Sequence, residues 1–250
     1  DLDTLTYRPN KKASFATLEL TKTIEKPIDR FKVLVTGKDK AGDFYRKNFA
    51  SMFQYCSNRI PEITDAFYKI DDAMKAGFGW ENGPFEIWDA IGVEKGIELM
   101  KAEGYQPASW VTDMLASGNT SFYSIKDGAT HFYSITNKKV EKIPGQDAFI
   151  ILNNIRESKK IWKNSDSIIT DLGDGIINLE FTSKMNSIGA GVLQGINKAI
   201  DIAEKDYNGL VIGNQGANFS VGANLGMIFM MAVEQEYDEL NMAIKMFQDT

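Results

Sequence analysis

Gly77-Phe-Gly-Trp-Glu-Asn-Gly-Pro-Phe-Glu-Ile-Trp-Asp89 is the stretch whose reading decides the first half of the fold. Three glycines, one proline and four aromatics in thirteen residues make a tight turn between two helices, with the rings forming a packing corner. Upstream, Ile60, Ile63, Phe67, Ile70 and Met74 recur at spacings of 3, 4, 3 and 4, which places them on one helical face. Pro61 suits the first turn of that helix and Gly77 its C-terminal end. Residues 39–55 also read as a helix, with Phe44, Phe49, Met52 and Phe53 as core candidates. Before them, the weak alternation of Phe15–Leu20 and the short apolar run Phe31–Val35 read either as strands or as segments lying on a neighbouring domain, punctuated by Pro27 and Gly37. Glu86 and Asp89 are the right residue types for acid–base work. At i and i+3 on a short helix they are expected instead to face solvent or to cap a neighbour.

Downstream, Val93, Ile97 and Met100 form the stripe of a short amphipathic helix, and residues 107–115 form one more. Ser121–Ile125 and His131–Ile135 flank Asp127-Gly128, a two-residue hairpin turn. Residues 155–162 read as a basic linker or short helix. Ser167–Leu172 and Ile177, Leu179 and Phe181 are two strands joined by a turn at Asp171–Gly175. A helix then starts at Asn186 or Ser187 and carries Ile188, Val192, Ile196, Ala199, Ile200 and Ala203 on one face. Gly209–Gly213 is the next strand, parallel to the previous one through a right-handed crossover. A final helix carries Val233, Tyr237, Leu240, Ile244 and Phe247.

Between that strand and that helix lies Asn218-Phe-Ser-Val-Gly-Ala-Asn-Leu225. Its small apolar centre lets a ligand approach the backbone, so its N–H groups rather than its side chains are the candidate chemistry. Read by itself, the segment is a plain turn with small residues for packing.

Composition excludes several classes. The chain has 250 residues, 43% hydrophobic and 25% charged, within the range of globular proteins. No apolar run is long enough to span a membrane. The start, Asp1-Leu-Asp-Thr4, has no signal-peptide pattern and no initiator Met, which fits a processed or excised segment. One cysteine, Cys56, rules out an intrachain disulfide and a thiolate metal cluster, and a reducing cytoplasmic setting is expected. The net charge is −6, yet residues 1–60 hold 12 Lys and Arg against 7 Asp and Glu. That basic quarter suits an anionic ligand or an acidic partner surface but lacks the density expected for nucleic acid. His131 is the single histidine, and its place on a hairpin strand makes it a structural or surface residue rather than a catalytic base. No metal ligand set is expected. Gly189-Ala-Gly-Val-Leu-Gln-Gly195 has the wrong spacing for a dinucleotide fingerprint and falls inside a helix. There is no phosphate-binding P-loop either, so no cofactor-binding residue is assigned.

Two segments carry resemblances. Asp71-Asp-Ala-Met-Lys-Ala-Gly-Phe-Gly-Trp80, Gly83-Pro-Phe-Glu86, Trp88-Asp89 and Gly92 resemble the C-terminal helical domain of 3-hydroxyacyl-CoA dehydrogenases. Asp174-Gly175, Lys184-Met-Asn186, Gly209–Ile212 and Phe219–Leu225 resemble the N-terminal half of an enoyl-CoA hydratase, or crotonase, domain. The resemblance implies an α+β chain in three parts. Residues 1–118 would be a mostly helical dehydrogenase-type domain, 119–164 a β-hairpin appendage with a linker, and 165–250 a partial crotonase-like ββα unit.

The resemblance also implies a parent enzyme of fatty-acid β-oxidation. It would couple NAD-dependent oxidation of 3-hydroxyacyl-CoA to hydration of enoyl-CoA. The Ala223 N–H matches one of the family's two donors to the thioester oxygen. Phe219, Val221 and Gly222 line that loop, and Lys184 and Asn186 match the segment near the CoA entrance, Lys184 toward the nucleotide end. Asn224 stands where the family commonly has Asp. The NAD-binding domain, the catalytic His–Glu pair and the hydratase glutamates match nothing here, so this chain by itself is expected to be inactive. The implied partners are acyl-CoA and, through an exposed half-domain surface, further copies of the chain. The alternative is a catalytically incomplete acyl-CoA-binding or association module.

Overall fold

The computed structural model describes residues 3–9, 12–24, 26–216 and 218–250. The chain is α+β and divides into two compact units, 1–124 with 130–143, and 125–129 with 144–250.

The first unit holds α1 (Ala16–Thr21), α2 (Pro27–Thr36), α3 (Lys40–Asn58), α4 (Tyr68–Phe78), α5 (Pro84–Ile91), α6 (Val93–Ala102) and α7 (Ser109–Ala116). A three-stranded sheet follows in the order β1 (Tyr123–Lys126), β2 (Ala129–Ser134), β3 (Lys139–Lys142), with β2 and β3 antiparallel. Asp127 and Gly128 both take positive φ, which is the geometry the hairpin turn demands.

Aromatic rings fill the core. Phe53 stacks on Trp88 at 4.7 Å, Phe67 lies 5.1 Å from Phe85, and Phe122 brings the start of the hairpin to 5.0 Å from Trp88. The two buried indoles are satisfied: Trp88 Nε1 donates to the Val93 carbonyl and Trp110 Nε1 to that of Ser57.

The α4–α5 corner is held by carboxylates as well as rings. Asp71, fully buried on α4, accepts from the N–H groups of Phe85 and Glu86, the first-turn donors of α5. These are orphan N–H groups at the positive end of a helix dipole, so the carboxylate caps a neighbouring helix. Glu86 closes the same turn by accepting from the Gly83 N–H, and Pro84 occupies the first helical position. Asp89 accepts from the N–H groups of Phe122 and Tyr123 and so fixes the entry to β1. Of the pair Glu86 and Asp89, the first therefore caps its own helix and the second a neighbouring strand.

Gly83 is set by close approach, since a Cβ there would overlap the Cα and Cβ of Asp71. Its φ of −82° is open to any residue, so the constraint is purely steric. Gly83→Ala is expected to cost about 1–3 kcal/mol. Gly77→Ala meets nothing within 4 Å on α4 and should be neutral or stabilising by up to about 1 kcal/mol. Urea midpoints followed by tryptophan emission compare the two, and equal effects would remove the steric assignment.

Several sequence expectations are corrected. Residues 16–20 and 31–35 lie in helices α1 and α2, not strands, with Phe15 as the N-cap of α1. Pro27 starts α2, and Asp39 draws the Thr17 N–H and hydroxyl toward the N-terminus of α3, a tertiary contact that short apolar runs do not reveal. The helix expected from Pro61 begins only at Tyr68. The Thr64 hydroxyl bonds the Ala66 N–H in a turn, and Ile63 is exposed. That helix ends at Gly79, which takes the left-handed cap, two residues past Gly77. Phe44 is exposed, although Phe49 and Phe53 are buried as expected.

The second unit contains α8 (Leu152–Ile155) and a four-stranded sheet in the order β4 (Lys160–Lys163), β5 (Ser167–Gly173), β6 (Ile176–Phe181), β7 (Gly209–Ile212). β4–β5 and β5–β6 are antiparallel and β6–β7 is parallel, as the strand–helix–strand pattern predicts. α9 (Ala190–Asp206) makes the crossover and buries Val192 and Ala199 against Ile169, Ile177 and Leu179. α10 (Leu225–Val233) and α11 (Tyr237–Asp249) complete it. The final helix is thus two helices, broken where Gln235 takes a positive φ. α9 starts later than Asn186 because Met185 and Asn186 have positive φ and the Ile188 N–H is engaged by the Gly222 carbonyl.

Candidate functional site

The second unit brings the two sequence-predicted segments side by side. Lys184–Asn186 forms a single 3-10 turn, and Ile188 makes an isolated parallel bridge with Ala223. The Asn186 amide donates to the Asn218 carbonyl at 2.9 Å, and Ser220 Oγ donates to the Asn186 carbonyl at 2.6 Å. Ser220 Oγ also accepts from the Gly222 N–H, which stabilises the turn in which Gly222 takes a φ of 84°. A residue with a Cβ at 222 would be strained there.

Residues that the sequence reading did not single out hold this loop. Asn214 accepts from the Phe181 N–H and donates to the Phe219 carbonyl, both at 2.7 Å. Gln215 spans the Leu152 N–H and the Ile150 carbonyl. Their one sequence signal is the polar run Asn214-Gln215 immediately after an apolar strand. Asn224 caps α10 by accepting from the Met227 N–H. Asp and Asn are equally good caps, so this position keeps that role without a charge.

The Ala223 N–H forms no hydrogen bond with any described residue. Ala223 lines a cleft of about 260 Å³ with Gly189, Leu193, Met227, Met231 and Phe247. The surroundings are apolar, so a donor there is stronger than the same group in water. Lys184, Phe219 and Val221 are exposed, and Phe219 lies 6.1 Å from Phe181. His131 lies on β2 opposite Lys142, in the first unit's sheet. Among the described residues, no cluster of His, Cys, Asp or Glu could hold a metal ion, and no helix is long and apolar enough to cross a membrane.

A probable 3-hydroxyacyl-CoA dehydrogenase of Bacillus subtilis is 40% identical over 248 residues, 99% of this chain and 31% of that protein. Putative fatty acid oxidation complex trifunctional enzymes of Rickettsia felis and Rickettsia prowazekii are 25% and 26% identical over 84% and 87% of this chain, and 26% and 27% of their own lengths. The chain thus spans less than a third of the length of these relatives. No family model and no solved structure matches it. The names support the dehydrogenase resemblance.

Proposed function

We propose that this chain is a segment of a fatty-acid β-oxidation enzyme that oxidises 3-hydroxyacyl-CoA with NAD and hydrates enoyl-CoA. In this reading residues 1–118 are the dehydrogenase-type helical domain, 119–164 the hairpin and linker, and 165–250 the first half of a crotonase-like domain. The observation that carries the hydratase part is the unengaged Ala223 N–H at the edge of an apolar cleft, on a loop pinned by Asn186, Asn214 and Ser220. Such a donor stabilises the negative charge that develops on a thioester oxygen when water adds to the conjugated bond. In this reading Lys184, which is exposed, meets the anionic nucleotide end of CoA. The dehydrogenase part is supported by the relatives' names. In this reading acyl-CoA is the partner, in the cytoplasm, and NAD is the cofactor of the parent enzyme.

Calorimetric titration of the chain with CoA and with crotonyl-CoA tests this. Both should bind, and Lys184→Ala should weaken both. Ala223→Pro, which deletes the N–H, should weaken crotonyl-CoA alone, by about tenfold. No binding of crotonyl-CoA, or a Lys184→Ala variant that binds unchanged, would overturn the respective assignment.

A second reading, association, is favoured by α10 and α11. Neither helix buries a residue, and Leu225, Phe229, Met230, Val233 and Met242 are all more than half exposed. Apolar surface of this extent marks an interaction site. Light scattering that gives a monomer at all concentrations would remove it.

A further inference from the structure

The segment between β3 and β4 is fixed to the second unit well before the sheet begins. Leu152 and Ile155 of α8 are buried, and Arg156 holds Glu180 of β6 through two charge-assisted bonds. The Lys159 N–H goes to the Ile155 carbonyl, and β4 then joins β5. One further tie reaches the Ala223 loop rather than the sheet. Ile151 has an extended backbone, with φ −97° and ψ 103°. Such a residue turns the carbonyl before it and the N–H after it to the same side. The Gln215 carboxamide meets both. Its Nε2 donates to the Ile150 carbonyl at 2.6 Å, and its Oε1 accepts from the Leu152 N–H at 2.7 Å. A primary amide carries donor and acceptor side by side, so it engages that edge as a parallel strand would.

The preceding residue, Asn214, holds the Phe181 N–H and the Phe219 carbonyl. Two consecutive carboxamides thus join the 150–152 edge, β6 and the start of the loop. At the far end of the loop the Ile188 N–H donates to the Gly222 carbonyl at 2.8 Å. That carbonyl and the Ala223 N–H belong to one planar trans peptide and point opposite ways, so this bond sets the direction of the donor. The loop is held at both ends, and Gln215 brings in the hold that lies outside the sheet.

We propose that residues 150–156 are a strap on the loop that carries Ala223, and that Gln215 is the positioning residue through which the strap acts. The segment is then a working part of the candidate site rather than a linker. Its effect on a ligand rests on the acyl-thioester reading of Ala223, since a donor displaced by about 1 Å loses most of its effect. The strap itself is tested without a ligand.

Gln215→Leu removes both bonds, and Leu152→Pro removes one of them from the other side. Proline suits position 152, which opens α8 and follows an extended residue. In the 250-residue chain the amides of residues 218–223 should exchange about fivefold faster in both variants, while β5 and β6 keep their protection. Unchanged loop exchange would overturn the strap. Equal loss of protection in β5 in both variants would also overturn it, because the two residues would then serve general stability.

Calorimetric titration reads the positioning. Gln215→Leu should weaken crotonyl-CoA by up to about tenfold and leave CoA unchanged. In an Ala223→Pro chain the same substitution should add nothing, because residues acting through one donor are not additive. Additive losses, or CoA weakened as much as crotonyl-CoA, would overturn the positioning role. An Ala223→Pro chain that binds crotonyl-CoA like the wild type would overturn the thioester reading instead, with faster loop exchange still supporting the strap.

Discussion

Asp71→Ala is expected to lower the stability of the first unit by about 3–5 kcal/mol at pH 6, because it strips partners from three groups at once. The buried carboxylate accepts from the Phe85 and Glu86 N–H groups and from the Tyr123 hydroxyl at 2.7 Å. Each group left buried and unpaired costs about 1–3 kcal/mol. The loss should be smaller at pH 8, and the sign follows from linkage. Burial pushes Asp71 up to about 7 from 3.8, against the lowering effect of its hydrogen bonds, and Glu86 adds repulsion. Asp89 is likewise raised to about 7, by burial first and then by the charges of Asp71 and Glu86.

A carboxyl group whose pKa is higher folded than unfolded holds its proton through the window from about 4 to about 7. Its contribution is full below that window and declines as pH rises through it. The groups facing this pair are Cys56 from α3, Asp72 and Lys75 from α4, Glu86 from α5 and Tyr123 from β1. Lys75 pairs with Glu86 and Asp72, not with Asp71 or Asp89. Asp39 works in the opposite direction. Hydrogen bonds from Thr17 and Gly42 lower it to about 2, so its contribution is present above about 4 and is lost in stronger acid.

Urea midpoints of the wild type, followed by tryptophan emission, should therefore fall between pH 5.5 and pH 7.5. Asp71→Asn and Asp89→Asn should each flatten that slope. Three of the four tryptophans, Trp80, Trp88 and Trp110, belong to the first unit, so the signal reports mainly on it. A midpoint that rises over this pH range would defeat the assignment.

The capping role of these carboxylates shows where sequence reading stops. Asp71, Gly83, Pro84, Glu86 and Asp89 stand out as a pattern, and their spacing places the turn. It does not disclose that Asp71 reaches across to α5, or that Asp89 reaches across to β1, since those bonds join residues 14 to 34 apart in the chain. Long periodic segments were legible for the same reason that short ones were not. Val93, Ile97 and Met100 repeat often enough to fix a face, while six residues at 15–20 fit a strand or a helix equally well until Asp39 decides between them.

In the second unit the alternation of Ile177, Leu179 and Phe181 makes β6 legible, but not its register, because β5 runs to Gly173 inside the expected turn and its pairing shifts between Asp171 and Gly173. The break at Gln235 was hidden because Val233 and Tyr237 keep helical spacing across it. At the candidate site, the small residues of 218–224 pointed to the backbone. The side chains that pin that backbone, Asn214 and Gln215, are polar residues of ordinary loop type, and only their partners distinguish them.

Arg156→Ala should destabilise the second unit by about 3–5 kcal/mol. Arg156 grips Glu180 with two parallel bonds of 2.9 and 2.7 Å, and the Glu180 side chain is only 5% exposed. Truncating the arginine leaves a carboxylate buried without a partner. The pair itself need not add stability, because removing both ions from water offsets much of their attraction. The double variant Arg156→Met, Glu180→Leu is therefore expected to recover most of the loss. A double variant as unstable as Arg156→Ala would show that packing, not the lone charge, carries the cost.

The consequence extends to the candidate site through β6. Its Asn178 side chain donates to the Gly213 carbonyl, and its Phe181 N–H donates to Asn214, so the strand that Glu180 anchors also fixes the start of the Ala223 loop. Hydrogen exchange of residues 213–224 should speed up in Arg156→Ala under conditions where β5 remains protected. Loop exchange unchanged at that point would separate the ion pair from the site.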